Sequence, residues 1–261
     1  MPDPSPARID VPFPDGERPH LTLALGACRL EVVPGAGPSL LEGTYHDPSG
    51  ALPWSVKREG DEVRLSQGVA VLSTIGLLSR GLPKFTLAIG RSRPFLLSVN
   101  GGASDVHLDL GGVPLLGLAV RQGAGRFRCD FSAPNPAEME RLEVEGGALA
   151  VEMRNLANAR FSQMRIEGGA ASWDLDFGGT LARDAEVMLT AGMSAVRISV
   201  PSTTAARLLP EPVLGAFEVG DGFTKREGAF CTEAAARGAT PVLTVRANVT
   251  LGSLHIAVGG P

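Results

Sequence analysis

Gly101-Gly102-Ala103-Ser104-Asp105-Val106-His107-Leu108-Asp109-Leu110 reads as a small-residue turn followed by strictly alternating apolar and polar residues. The same pattern returns about once every 22 residues between Phe95 and Pro201. Gly125 leads into Phe127-Arg128-Cys129-Asp130-Phe131, and Gly147 into Leu149-Ala150-Val151-Glu152-Met153. Gly169 leads into Trp173-Asp174-Leu175-Asp176-Phe177, and Gly192 into Val196-Arg197-Ile198-Ser199-Val200. A second short apolar segment follows each copy, at Leu116–Val120, Leu142–Val144, Met164–Ile166 and Val187–Leu189. Two short β-segments per period of this length predict a β-solenoid, in which each coil stacks on the last and its strands pair in parallel. The coil should be right-handed, as parallel crossovers almost always are. A leucine-rich repeat has coils of similar length, but its L-x-x-L-x-L-x-x-N pattern does not recur here and ranks second.

Alternation assigns the faces. Val106, Leu108, Leu110, Phe127, Cys129, Phe131, Trp173, Leu175 and Phe177 are expected inside. His107, Asp109, Arg128, Asp130, Glu152, Asp174, Asp176 and Arg197 are then expected outside.

Around this centre the reading is one domain. Residues 1–18 carry five prolines and read as a flexible tail, and residues 19–261 as the solenoid, with central repeats at 95–201 and a closing segment at 202–261. Leu21–Gly26, Cys28–Val32 and Leu40–Tyr45 read as strands, and Trp54–Lys57 with Glu62–Leu65 as a hairpin. Between Gly68 and Pro94 the register is not legible, apart from a strand at Phe85–Ile89. Asn135-Pro136-Ala137-Glu138 has the order of a helix start, with a cap, a proline in the first turn and an acid three residues on. Val213–Val219 reads as a strand, Thr232–Arg237 as a short capped helix, and Leu243–Val245 with Gly252–Val258 as the last coil or a cap.

Composition narrows the function. A hydrophobic fraction of 44% is enough for a real core, and the 33 glycines and 20 prolines fall between strand-like runs, as turns do. A net charge of −4 argues against nucleic acid as the main partner. The cysteines, Cys28, Cys129 and Cys231, are odd in number and widely spaced, so neither a disulfide framework nor a zinc knuckle is expected. Met1–Asp15 lacks the basic start and apolar run of a leader, and the longest apolar stretch, Val69–Leu78, is too short to span a bilayer. A cytoplasmic protein without direct membrane insertion is expected.

No nucleophile elbow or phosphate loop is present, and His20, His46, His107 and His255 are scattered. Catalytic, cofactor and metal sites are therefore expected to be absent. The outward Asp109, Asp130, Asp174 and Asp176 leave two readings open. One is a solvated face of paired charges. The other is the acid–base pair of a glycan-cleaving β-helix protein, or a glycan-binding face. The candidate interaction face is His107, Asp109, Arg128, Asp130, Asp174, Asp176 and Arg197. An open solenoid end also exposes a strand edge, which would invite a partner or a second copy.

Residues 101–110, Asn155-Leu156-Ala157-Asn158-Ala159-Arg160-Phe161 and Gly168–Phe177 resemble the toastrack-type domain of bacterial cell-envelope stress proteins of the LiaF kind and related adhesins. The resemblance runs from Leu21 to Val258 and is strongest over 98–200. It implies a β-solenoid that senses or scaffolds beside a membrane, with a two-component or phage-shock system, and it brings no catalytic residues. The expected role is a non-enzymatic interaction or signalling scaffold. Its partner would be a protein, including a membrane-associated stress-signalling component, or a second copy of the chain.

Overall fold

The computed structural model describes residues 5–50, 52–68, 81–211 and 214–259. The apolar run at 69–78 and the first residue of the strand expected at 213–219 lie outside the described residues. The fold is almost entirely β. In chain order the strands are β1 (Ala7–Val11), β2 (His20–Leu25), β3 (Arg29–Pro34), β4 (Leu41–His46), β5 (Trp54–Glu59) and β6 (Glu62–Gln67). Then come β7 (Lys84–Ile89), β8 (Phe95–Asp109), β9 (Leu115–Asp130), β10 (Met139–Arg154), β11 (Phe161–Gly168) and β12 (Ala171–Asp176). The chain closes with β13 (Ala185–Val200), β14 (Ala205–Pro210), β15 (Leu214–Val219), β16 (Phe223–Arg226), β17 (Ala229–Thr232), helix α1 (Glu233–Ala236) and β18 (Val242–Val258).

The strands form two parallel ladders joined by long strands that run through both. In the first ladder, the inward residues Leu21, Leu97, Leu118, Leu142, Met164, Val187 and Val245 lie opposite one another in turn. In the second, the inward row is Leu30, Val106, Phe127, Val151, Trp173, Val196 and Leu254. Both rows are buried and meet in one core. Every residue that alternation placed inside is there. Burying each large apolar side chain contributes about 1.5–3 kcal/mol, and stacking like on like makes that gain continuous along the molecule.

Four expectations are corrected. Most of the repeat glycines are not turns between short strands: β8, β9, β10 and β13 run through Gly102, Gly125, Gly147 and Gly192 as strands of 15 or 16 residues, and the expected turn forms only at Gly169, between the short β11 and β12. Glycine is needed there because the coils approach closely where the chain passes from one ladder to the other. A Cβ on Gly102 would sit 3.2 Å from the carbonyl oxygen of Gly26, and one on Gly147 only 2.5 Å from that of Gly123. Gly125 also has φ +114°, outside the range that L side chains favour. Second, the N-terminal stretch is not a tail throughout, since β1 pairs antiparallel with β4 and buries Ile9 and Val11.

Third, no helix forms at Asn135. Its side chain is fully buried and ties neighbouring coils together. Oδ1 accepts from the N–H groups of Leu115 (3.1 Å) and Ala137 (2.9 Å), and Nδ2 donates to the carbonyls of Leu115 (2.9 Å) and Ala159 (3.1 Å). Asparagine followed by proline supports a local side-chain turn as readily as a helix cap, and here the turn prevails. Fourth, the stack does not continue in parallel to its ends: β4 pairs antiparallel with β7 and β1 with β4, β5 pairs antiparallel with β6, and β17 pairs antiparallel with β14 and β16. Among the described residues β1, β5, β15 and β16 each pair with one strand only, so strand edges remain exposed. The hairpin β5–β6 and the short helix capped by Thr232, whose hydroxyl accepts from Ala235 N–H, form as expected.

Candidate functional site

The outward face of the second ladder brings the expected interaction residues together. Glu31, His107, Arg128, Glu152, Asp174, Arg197, His255 and Glu218 lie opposite one another in one row across eight strands. The row exists because each residue is the polar member of an alternating strand and the coils keep register. Ion pairs run along and across it. Arg128 Nε lies 3.3 Å from a Glu152 oxygen, and Arg154 reaches both Glu152 and Asp174 at 3.1 Å. Glu31 pairs with Lys84 at 2.8 Å, and His255 Nδ1 lies 3.2 Å from Glu218. All are partly exposed, so each adds at most about 1 kcal/mol to stability. Their effect is to hold charges of both signs in fixed positions along the row.

Of the seven expected residues, His107, Arg128, Asp174 and Arg197 stand in this row. The other three do not serve as an open face. Asp176 is only 3% exposed. Its carboxylate accepts from the N–H groups of Asn155 (3.3 Å) and Gly178 (3.1 Å), which fold a loop over it. Asp109 accepts from Gly111 N–H (3.0 Å) and the Ser132 hydroxyl (2.6 Å), and Asp130 from Asn155 Nδ2 (2.8 Å). These three aspartates end their strands and hold the loops that follow. Asp174 is occupied by Arg154. The geometry therefore gives no acid–base pair facing a common open site.

The cysteines do not offer a nucleophile. All three are buried, and burial pushes the Cys28 thiol up to about 12 and raises the Cys129 thiol as well. Among the described residues no group of three or more His, Cys, Asp or Glu converges to hold a metal. Among the same residues no helix is long and apolar enough to cross a membrane.

Two of the concave features on the outside of the described residues adjoin the parallel ladders' polar rows. A trench of about 1040 Å³ follows the glycine corner, walled by Arg64, Asn100, Arg121, Glu145 and Glu167. Arg121 and Glu145 clasp each other across it with two contacts of 3.1 Å. A smaller depression of about 270 Å³ lies over β13 on the charged face. Sequence reasoning assigned no role to its lining residues Ser172, Ala195, Ser253 and His255. Alternation carried the signal, because Met193, Ala195 and Arg197 share a parity, as do Leu251, Ser253 and His255. The register that sets these triplets side by side was not legible.

The profile of the N-terminal domain of toast_rack, DUF2154, matches residues 7–153, more than half of the chain. The match begins at β1, before the region where the repeat is plainest. No curated protein compared with the sequence matches it. The crystal structure of a proposed cell adhesion protein from Clostridium sporogenes is similar over 98% of this chain and 100% of that one, with a TM-score of 0.53 and 14% identity. At that identity the likeness concerns the fold.

Proposed function

The chain belongs to the toast_rack family, and from that premise we propose that it is a non-enzymatic interaction scaffold that binds a protein partner through an outer face of its stacked coils. The observation that carries this reading is the row of charged residues in register across eight strands of the second ladder. A surface of that kind selects a partner by charge pattern more than by burial. The adhesion role given to the Clostridium sporogenes protein is consistent with recognition by such a surface.

The finer expectations belong to the same reading. The domain is a right-handed parallel solenoid with coils of about 22 residues, a size supported by pairs such as Leu142–Met164 and Val151–Trp173. It acts in envelope-stress signalling from the cytoplasm and reaches the membrane through its partner. Affinity purification of the tagged full chain from the organism that encodes it, with gentle crosslinking and mass spectrometry, tests this. Reproducible recovery of a membrane protein, kinase or stress regulator is expected. Recovery of nothing above background would count against the scaffold.

A further inference from the structure

The charged face changes character towards its C-terminal end. One outward row starts as Arg29, Asp105 and Arg126, with Arg29 and Asp105 paired at 3.8 Å. It continues as Ala150, Ser172, Ala195, Ser253 and Ala216, all small. The long charged side chains give way to a trough.

The two banks of this trough differ. On one side Met193, Leu251 and Leu214 lie opposite one another on β13, β18 and β15, and they are 64%, 48% and 70% exposed. On the other side stand Asp174, Arg197 and His255. Asp174 is bound through Oδ2 to Arg154, while its Oδ1 is buried without a hydrogen bond among the described residues; Arg197, opposite it on β13, makes no ion pair among the same residues. The depression lies between the banks, over Ala195, and its polar lining is Ser172, Ser253, Asp174, Arg197 and His255. An exposed apolar row beside a guanidinium that makes no ion pair and two hydroxyls is the pattern of a docking site, with an apolar contact and a charged anchor.

We propose that the outer face of β13, β18 and β15 docks a segment of a partner protein that carries an acidic side chain beside apolar ones. The carboxylate enters the depression over Ala195 and pairs with Arg197, with the Ser172 and Ser253 hydroxyls within the same recess. The neighbouring apolar side chains cover Met193, Leu251 and Leu214. Charge complementarity selects this occupant: among the described residues Arg197 is the arginine of the charged bank that makes no ion pair, and it lines the recess. The surface lies beyond residues 7–153, so the family match says nothing about it. The proposal rests on the scaffold reading and names the chemistry of its partner.

Selection of short random peptides displayed on phage against the full chain tests it directly. Enriched peptides are expected to place Asp or Glu next to Leu, Ile, Met or Phe. A synthetic peptide of the enriched sequence should lose affinity by about tenfold or more with Arg197→Glu. Ala195→Trp, which fills the recess, and Leu214→Ser should also weaken it, whereas Arg121→Glu on the trench wall should not. These side chains point outward, and circular dichroism would verify that each variant folds. Absence of enrichment, enrichment without acidic residues, or unchanged affinity of Arg197→Glu would overturn the proposal. A two-copy mass in light scattering that Arg197→Glu abolishes would also overturn it, by showing that a second copy covers the face. A partner captured from the host equally well by wild type and Arg197→Glu would reject this surface and keep the scaffold. Failure of all capture alongside specific peptide binding would do the reverse.

Discussion

Asn135 shows how a single side chain can hold a stack of coils. Its amide makes four hydrogen bonds in a fully buried place, to Leu115, Ala137 and Ala159. Asn135→Ala strands those backbone groups, and the cost of unsatisfied buried polar groups puts the loss at about 2–4 kcal/mol. Urea unfolding should show a lower midpoint with an unchanged slope; a midpoint within error of wild type would refute this role. The buried thiols give a second expectation. Burial pushes the Cys28 thiol up to about 12 in the folded chain, from 9.0 for an exposed thiol. Its folded value is raised, so its contribution to stability is complete below pH 9 and is lost as pH rises from there towards 12. Stability should therefore fall across that alkaline window, and Cys28 and Cys129 should resist alkylation at neutral pH until the chain unfolds. The sequence order around Asn135 and the strand-ending aspartates is ambiguous at this scale. Short polar side chains next to proline or glycine serve caps, turns and exposed faces alike, and only the coil above decides which.

At the scale of elements, the period and the alternation were readable because both are local properties of the chain. They placed Val106, Phe127 and Trp173 inside before any partner was known. What was not readable was the passage through the glycines. A Gly-rich stretch reads as a turn, and only the approach of Gly123 beneath Gly147 shows that the strand continues there. The ends were hidden for another reason, since β1, β4 and β16 do not repeat anything and pair antiparallel. The glycine corner yields a graded prediction. Gly147→Ala puts a methyl 2.5 Å from the Gly123 oxygen, whereas Gly102→Ala puts one 3.2 Å from that of Gly26. Overpacking of this kind costs about 1–3 kcal/mol. Gly147→Ala should lower the thermal midpoint clearly more than Gly102→Ala, and the reverse order would contradict the close stacking described for this corner.

At the scale of the whole molecule, hydrophobic stacking makes the structure and charge decorates it. The cross-coil pairs Arg128–Glu152 and Arg154–Asp174 are partly exposed. Replacing either arginine by alanine should cost no more than about 1 kcal/mol. The binding of a charged partner to this face should be far more sensitive to the same changes and to added salt. The membership of the face was legible from alternation, residue by residue. Which charges neutralise one another, and that Arg197 makes no ion pair among the described residues, depends on register between coils more than twenty positions apart. The measurement that tests the scaffold most directly is site-specific photo-crosslinking in the organism that encodes the chain. A photoreactive residue would replace Glu152 on the second ladder in one strain and the outward Gln163 on the first ladder in another. The scaffold predicts a discrete adduct with a particular partner protein from the Glu152 position. No adduct above background from either position, with the protein folded and abundant, would contradict it.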